Sequence, residues 1–502
     1  MPEHLRALVM VLALGSVVWL LARPAITKVV SLETFARWRA LWYVTTLTWF
    51  LSPNFWVYVG IMTVVLIRVS RRETQIFGLY LLLLVVAPAS STQIPGFGLI
   101  NYFFEINHYR FLALVLLLPY AWQLSKRPET IRFFRSPVDG FVVGYLVLNS
   151  LLAFRFGNFT SDARSALMMW IDFFLPYYVA SRSIRDAEGF RHALVGLLLG
   201  GVLLSVMAVV EVLRSWKLYD ASATALGLNP FGIYKLRGGF IRPSVTVIES
   251  IVLGYTIVVA TGAYLYLQSL VDKKAWRLVG WVVLATGILA SLSRGPWVGA
   301  GILFVVFVLT SPRPLKRLTQ TVLVSSCAFL VMSMTPSGQK IIDLLPLVGS
   351  AEQGNVDYRA DLLTVSRPVI ERNLLFGSTD FWDAPELQVM RQGEGIIDIV
   401  NSYLGVALQA GIVGLFLYTG MFVGALVVLM RGMRWARRAE NSDALLLGRA
   451  LFASVVTVML MIFTLSSILL VPTTYFALLG ICCAYALWMQ PQRRPDLWAA
   501  RV

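Results

Sequence analysis

Charge is what this chain has least of for its length. Of 502 residues only 14% are Asp, Glu, Lys or Arg while 58% are hydrophobic, and mean hydropathy is +0.72. A soluble domain carries about a quarter charged residues, so a water-soluble globular fold is excluded. Short alternating strands are also missing: the apolar runs are long and unbroken, which excludes a transmembrane barrel. Cysteines number three, Cys327, Cys482 and Cys483, all inside apolar runs. Adjacent cysteines are badly placed for an ordinary disulfide, so they read as small core residues. The three histidines, His4, His108 and His192, are far apart and lack any ligand spacing. No metal site and no cofactor are expected. Acid is scarcer than base, 27 residues against 43, for a net charge of +16. The basic residues fall in short clusters between apolar segments, which argues against nucleic acid as a partner and for membrane lipids.

What fills the chain is apolar helix. Windows of roughly 20 residues recur about fifteen times, within a range of about 12 to 15 crossings. The expectation is an all-α, polytopic transmembrane helical bundle, with residues 1–502 forming one integral membrane domain. The start, His4 to Leu21, has signal-peptide length, but Ala22-Arg23-Pro24-Ala25 is a poor cleavage site, so a retained first span is expected. Segments 38–51 and 55–68 are short and suggest a bent hairpin around Ser52-Pro53-Asn54; the last two spans are expected at 446–467 and 472–489. With this phasing, Arg68/Arg71/Arg72, Lys126/Arg127/Arg132/Arg135, Arg182/Arg185/Arg191, Lys273/Lys274/Arg277, Arg313/Lys316/Arg317 and Arg431/Arg434/Arg437/Arg438 all fall on one side. The bias of positive charge makes that side the cytoplasm, and it takes the C-terminus too. Functional groups are then to be sought in the loops on the opposite face.

Two outward loops are long: 214–248 and 335–401. The first is basic, against the usual bias, with Arg214, Lys217, Lys235, Arg237 and Arg242 over Asp220. Guanidinium forks suit phosphate, and Gly238-Gly239 lets backbone approach a ligand. Lipid-facing arginines that snorkel at the interface would look the same. Arg294, in Ser291-Leu292-Ser293-Arg294-Gly295-Pro296, has almost no loop to escape into; it either pairs with an acid such as Glu249 or faces a shared polar site. The second loop is acidic. Within it Asp357 is the expected N-cap of a helix whose Tyr358, Leu362, Val365 and Val369 form one apolar stripe, lying on the membrane surface and ending near Asn373 before Gly377. No internal repeat is apparent.

The later motifs are Tyr358-Arg359-Ala360-Asp361-Leu362-Leu363, Ile370-Glu371-Arg372-Asn373-Leu374-Leu375-Phe376-Gly377, Asp398-Ile399-Val400-Asn401-Ser402-Tyr403-Leu404 and Gln409-Ala410-Gly411-Ile412-Val413-Gly414-Leu415. Together with Arg237-Gly238-Gly239-Phe240 and Ser293-Arg294-Gly295, this order resembles the O-antigen ligase and O-antigen (exopolysaccharide) polymerase superfamily over about Arg237 to Leu415. The resemblance implies a metal-independent membrane glycosyltransferase. Its donor would be an undecaprenyl-pyrophosphate-linked saccharide and its acceptor a lipid-linked saccharide, with a polysaccharide export assembly as a further candidate partner. By position Arg237, Arg294, Arg242 and Arg359 would hold the pyrophosphate, with Arg372, Asn401 and Tyr403 lining the site. Ligases of this kind carry a histidine where this chain has Val400, which moves the expectation toward a polymerase. Asp398, with Glu394 behind it, becomes the candidate base, although an aspartate ahead of a helix can also be a cap. An O-antigen ligase and a lipid-linked oligosaccharide flippase remain the alternatives.

Overall fold

The computed structural model describes residues 1–98, 101–155, 158–229, 235–335, 354–391 and 395–490. Among these the chain is helical almost throughout, and every expected apolar segment is a helix or a broken helix. Among the described residues six helices are long and apolar enough to cross a membrane, and several shorter apolar ones accompany them. α1 (Glu3–Ile26), α2 (Leu32–Leu51) and α3 (Phe55–Ser70) open the chain, and α2 and α3 form the expected hairpin around Pro53. α4 (Ile76–Val86) leads into an antiparallel pair of strands, β1 (Ser91–Pro95) and β2 (Tyr102–Asn107), which the apolar pattern did not anticipate.

The next two passes are each broken in the middle. α5 (His108–Leu112) passes through a π-turn at Ala113–Leu117 into α6 (Leu118–Lys126). Beyond α7 (Pro137–Ala153), α8 (Phe159–Met169) likewise passes through Trp170–Phe174 into α9 (Leu175–Ser183). Both π-turns are followed by the same three residues, Leu118-Pro119-Tyr120 and Leu175-Pro176-Tyr177. Proline has no N–H to give the carbonyl one turn back, so the ladder widens just before it. A buried ion pair joins the two broken passes: Arg110 donates from Nε and Nη2 to the two carboxylate oxygens of Asp172, at 3.0 and 2.5 Å. A second, fully buried pair joins Arg182 to Asp139 at 2.7 Å, with the Tyr177 hydroxyl donating to the other oxygen of Asp139. Charges in so apolar an interior persist only when paired in this way.

α10 (Ala187–Arg214) packs on α4 and on α12 (Ser250–Leu267), which with α13 (Lys274–Ala290), α14 (Arg294–Leu309) and α15 (Pro314–Ser333) makes the second half of the wall. In the described part of loop 214–248 a short α11 (Asp220–Ala225) precedes a hairpin of β3 (Leu236–Arg237) and β4 (Phe240–Ile241). α16 (Gly354–Arg372) and α17 (Pro385–Gln388) follow α15, and α18 (Ser402–Arg438), α19 (Ser442–Met461) and α20 (Leu470–Trp488) close the bundle.

Three expectations need correction. α16 begins at Gly354, so Asp357 lies in its first turn and is not its cap. Its apolar stripe does not rest on a membrane surface: Tyr358, Leu362, Val365 and Val369 pack with Phe381, Leu387, Met390, Ile397, Ile399, Leu404 and Leu408 into a small core of their own. And α19 stops at Met461, leaving residues 462–469, which were expected to be mostly span, as a connecting turn.

Candidate functional site

At one end of the bundle the connections gather. Trp216 donates to Glu3, Phe55 N–H to the Leu226 carbonyl, and the Thr246 hydroxyl to the Val85 carbonyl, so the loop that starts at Ser215 is stitched to the ends of α1, α3 and α4. Glu211, fully buried at the end of α10, accepts N–H bonds from Leu218, Ser244 and Val245 at 2.8, 2.9 and 3.1 Å. Val245 has φ 49° and Ile248 φ 69°, conformations that β-branched residues rarely adopt. The carboxylate is what holds the chain in that shape directly after Arg242.

The hairpin is built by Gly238 and Gly239, with φ 56° and 81°. Two consecutive positive φ values make the tight turn whose twist suits paired strands. These glycines turn the chain so that Arg237 and Arg242 both reach the α13–α14 turn. Arg237 donates from Nη1 to the Leu292 carbonyl at 2.7 Å, and Arg242 from Nη2 to the Ser293 hydroxyl at 3.2 Å. Leu292 is itself left-handed, φ 47°. Strained backbone of this kind persists where the surroundings over-determine it and concentrates at functional sites. Arg294 then stands at the first position of α14. Among the described residues no ion pair joins it to Glu249.

Arg359 enters from α16. It keeps an accessible flank and donates to the Thr464 carbonyl at 3.4 Å. Surrounding protein lowers its pKa below the ordinary guanidinium value, chiefly by desolvation. Asp398 opposes that effect, and the positive charges of Arg237 and Arg294 add to it. Three side chains from three other segments therefore act on Arg359. Asp398 is also fixed through its backbone, whose N–H donates to the Tyr358 hydroxyl at 3.2 Å while its carbonyl accepts from the same hydroxyl at 3.2 Å. Its carboxylate accepts from the Ser466 hydroxyl at 3.0 Å. It is not a helix cap: Asn401 caps α18, accepting from Tyr403 N–H and Leu404 N–H.

The turn 462–469 is the part that the sequence did not single out. The Ser402 N–H donates to the Ile462 carbonyl and its hydroxyl to the Leu465 carbonyl, which staples the start of α18 to this turn. Thr464 lies so close to Gly295 that a Cβ there would meet its Oγ1 at 3.0 Å. Leu469, φ 52°, is one more left-handed non-glycine. Serine and threonine after an apolar run gave no more signal than an ordinary span end.

Not every expected residue joins the cluster. Arg372 lies thirteen residues beyond Arg359, about 20 Å along the helix, and pairs with Glu386 at 2.7 Å on an exposed surface. Tyr403 points into the bundle, donating to the Met459 carbonyl at 3.0 Å and packing on Tyr418. Glu394 lies outside the described residues. Among the described residues no group of His, Cys, Asp and Glu has the make-up of a metal site.

The two glycine motifs meet. α18 is interrupted at Gly411 (φ 62°, ψ −163°), which frees Ile412 N–H and Val413 N–H to bond the carbonyls of Leu374 and Leu375 at 2.8 and 3.1 Å. A Cβ on Gly411 would lie 2.4 Å from the Leu375 carbonyl carbon, and one on Gly377 2.5 Å from the backbone of Gln409. Leu374-Leu375-Phe376-Gly377 is thus wedged into the break at Gln409-Ala410-Gly411, and this fixes the large loop over the site. Residues 279–419, which hold both halves of this lock together with Arg294, Arg359 and Asp398, match the family model described as O-antigen ligase.

The matched stretch, residues 279–419, supports the O-antigen ligase and polymerase superfamily. With its apolar helices, this makes it a multi-pass bacterial membrane protein related to membrane glycosyltransferases that use lipid-linked saccharides. No curated protein matches the chain. The superfamily stretch does not contain the whole cluster: Arg237 and Arg242 come from before it, Thr464 and Ser466 from after it.

Proposed function

We propose that this protein is a polysaccharide polymerase of the bacterial inner membrane. It joins undecaprenyl-pyrophosphate-linked repeat units at the periplasmic face, with the C-terminus in the cytoplasm. The observation that carries this reading is that Arg237 bonds the turn before Arg294, Gly295 lies against Thr464, Arg359 bonds the Thr464 carbonyl and Asp398 bonds Ser466 two residues on. Three guanidinium groups beside one carboxylate are what transfer from a diphosphate leaving group needs.

In this reading the arginines grip the two phosphates of the donor, with Arg242 holding the turn that carries Arg294. The acceptor sugar hydroxyl lies against Asp398, which takes its proton as the oxygen attacks the anomeric carbon. The bond from that carbon to the pyrophosphate oxygen breaks, and its electron pair leaves with the lipid diphosphate. Negative charge grows on that oxygen during the step, and fixed cations stabilise the transition state more than the ground state. A single displacement inverts the anomeric configuration. Because arginines supply the positive charge, the reaction needs no metal. The alternative acceptor, a lipid A core as in an O-antigen ligase, is disfavoured by Val400, which occupies the position of the ligase histidine.

The test is purified protein in detergent, given a lipid-linked repeat unit, with EDTA and without any ion gradient. Longer lipid-linked glycans are expected from the wild type, and from Arg294→Ala at a rate at least about 10²-fold lower. Movement of the lipid across vesicles without any joining would make it a flippase instead.

A further inference from the structure

Remote from the arginine cluster, α7 and the second half of α18 leave an apolar groove open to the outside of the bundle. Its volume is about 630 Å³, and along α18 it extends from Ile412 to Arg431, about 28 Å of helix. Phe141 and Phe416 wall it, their rings 5.9 Å apart, and Gly420 and Gly424 lower its floor. A smaller pocket of about 80 Å³ continues it, and the two share Pro137 and Arg431. There the lining changes character: Arg135, Ser136, Trp435 and Gln490 join Arg431. Both arginines are exposed, and among the described residues no carboxylate pairs with either. An apolar trough that ends between two guanidinium groups fits a ligand with a long hydrocarbon chain and a phosphate at its end.

We propose that this groove binds one anionic glycerophospholipid, its phosphate between Arg135 and Arg431 and one acyl chain along Phe141, Phe416 and Gly420. The donor lipid is not the occupant. Arg431 lies twenty residues along α18 beyond the break at Gly411, about 30 Å of helix, at the end opposite the cluster that would hold a diphosphate. A single charged phosphate also matches two arginines better than the crowded cation set around Arg359 does. Because Arg135 lies two residues before α7 begins and Arg431 lies on α18, the lipid would tie the start of α7 to α18 and stabilise the folded bundle by mass action.

The test uses the full chain in detergent, read by native mass spectrometry and by thermal unfolding, with phosphatidylglycerol, phosphatidylcholine of the same acyl chains, and inorganic phosphate. Phosphatidylglycerol is expected to bind at least about tenfold more tightly than phosphatidylcholine and to raise Tm, whereas inorganic phosphate does neither. The double variant Arg135→Gln/Arg431→Gln should bind the two lipids equally. Thr419→Trp, which fills the trough and leaves both arginines in place, should weaken phosphatidylglycerol as well. Equal binding of both lipids by the wild type, an unchanged preference in the double variant, or competitive displacement by undecaprenyl phosphate would each overturn the proposal. None of these residues touches the Arg359 cluster, so glycan joining by the double variant should match the wild type and the two readings fail separately.

Discussion

Ser466 donates its hydroxyl to Oδ1 of Asp398 at 3.0 Å, across 68 residues of sequence and from a turn with no motif of its own. One oxygen of the carboxylate is thereby occupied and oriented, which leaves the other for an acceptor hydroxyl. Asp398→Asn should therefore lower the rate of glycan joining by about 10²- to 10⁴-fold with Tm unchanged. Ser466→Ala should lower kcat far less and leave KM as it was. Initial rates on a lipid-linked acceptor check both, and a fully active Asp398→Asn enzyme would move the base elsewhere.

Removing one arginine from the cluster should cost the transition state one of its fixed charges. Arg359→Ala and Arg294→Ala are each expected to lower kcat by about 10²- to 10³-fold, and the double variant by less than the product, because the three cations act on one diphosphate. Single-turnover kinetics separates this from a loss of binding.

Arg359→Lys should convert the enzyme into a pH-sensitive one. The site disfavours a cation at this position, through desolvation first and then through Arg237 and Arg294, and only Asp398 opposes them. An arginine stays charged under that pressure, but a lysine starts from about 10.4 and is pushed downward. The charged form is then lost as pH rises, so the variant should work best on the acid side and fall off toward alkaline pH where the wild type does not. A pH–rate profile of both proteins decides it; parallel profiles would refute the prediction.

Gly411→Ala and Gly377→Ala should each destabilise the bundle. Both glycines have positive φ, 62° and 64°, and the added Cβ would run into backbone that cannot swing aside. The expected loss is about 2–4 kcal/mol for either, and more glycan-joining activity than folded protein should disappear, since the wedge holds the loop that carries Arg359 and Asp398. Thermal unfolding in detergent measures the first effect, and specific activity per folded molecule the second.

Glu211→Gln should loosen the basic loop. The carboxylate accepts from three backbone N–H groups with its two oxygens, whereas an amide offers one acceptor and places an N–H donor against other donors. A cost of about 1–3 kcal/mol is expected, and limited proteolysis should cut between Ser215 and Ile248 sooner than in the wild type.

Much of this was readable from residue order. Helices follow from apolar runs too long for anything else, because a chain in hydrocarbon must satisfy its own N–H and C=O groups. Arg237 and Arg294 stood out because a guanidinium beside an apolar run is costly without a reason, and Arg359 because its motif carries the family resemblance. Asp398 was readable only as base or cap, and it was the distance to α18 that removed the cap, since Asn401 takes that role. Arg372 was misplaced because its motif is contiguous with α16 while its side chain stands at the far end of that helix, paired with Glu386. The strands at Ser91–Asn107 were missed because a short hairpin between two long apolar runs carries almost no periodic signal.

By itself, then, the sequence determined the solvent, the helices and the chemistry on offer, because hydrophobicity and side-chain type are local properties. Tertiary structure alone decided which cations meet which carboxylate. Ser466, Thr464 and the carboxylate of Glu211 acquire their roles only when segments remote in sequence are brought within hydrogen-bond reach. Gly377 and Gly411, too, make sense only as two faces of one contact, where neither backbone has room for a side chain.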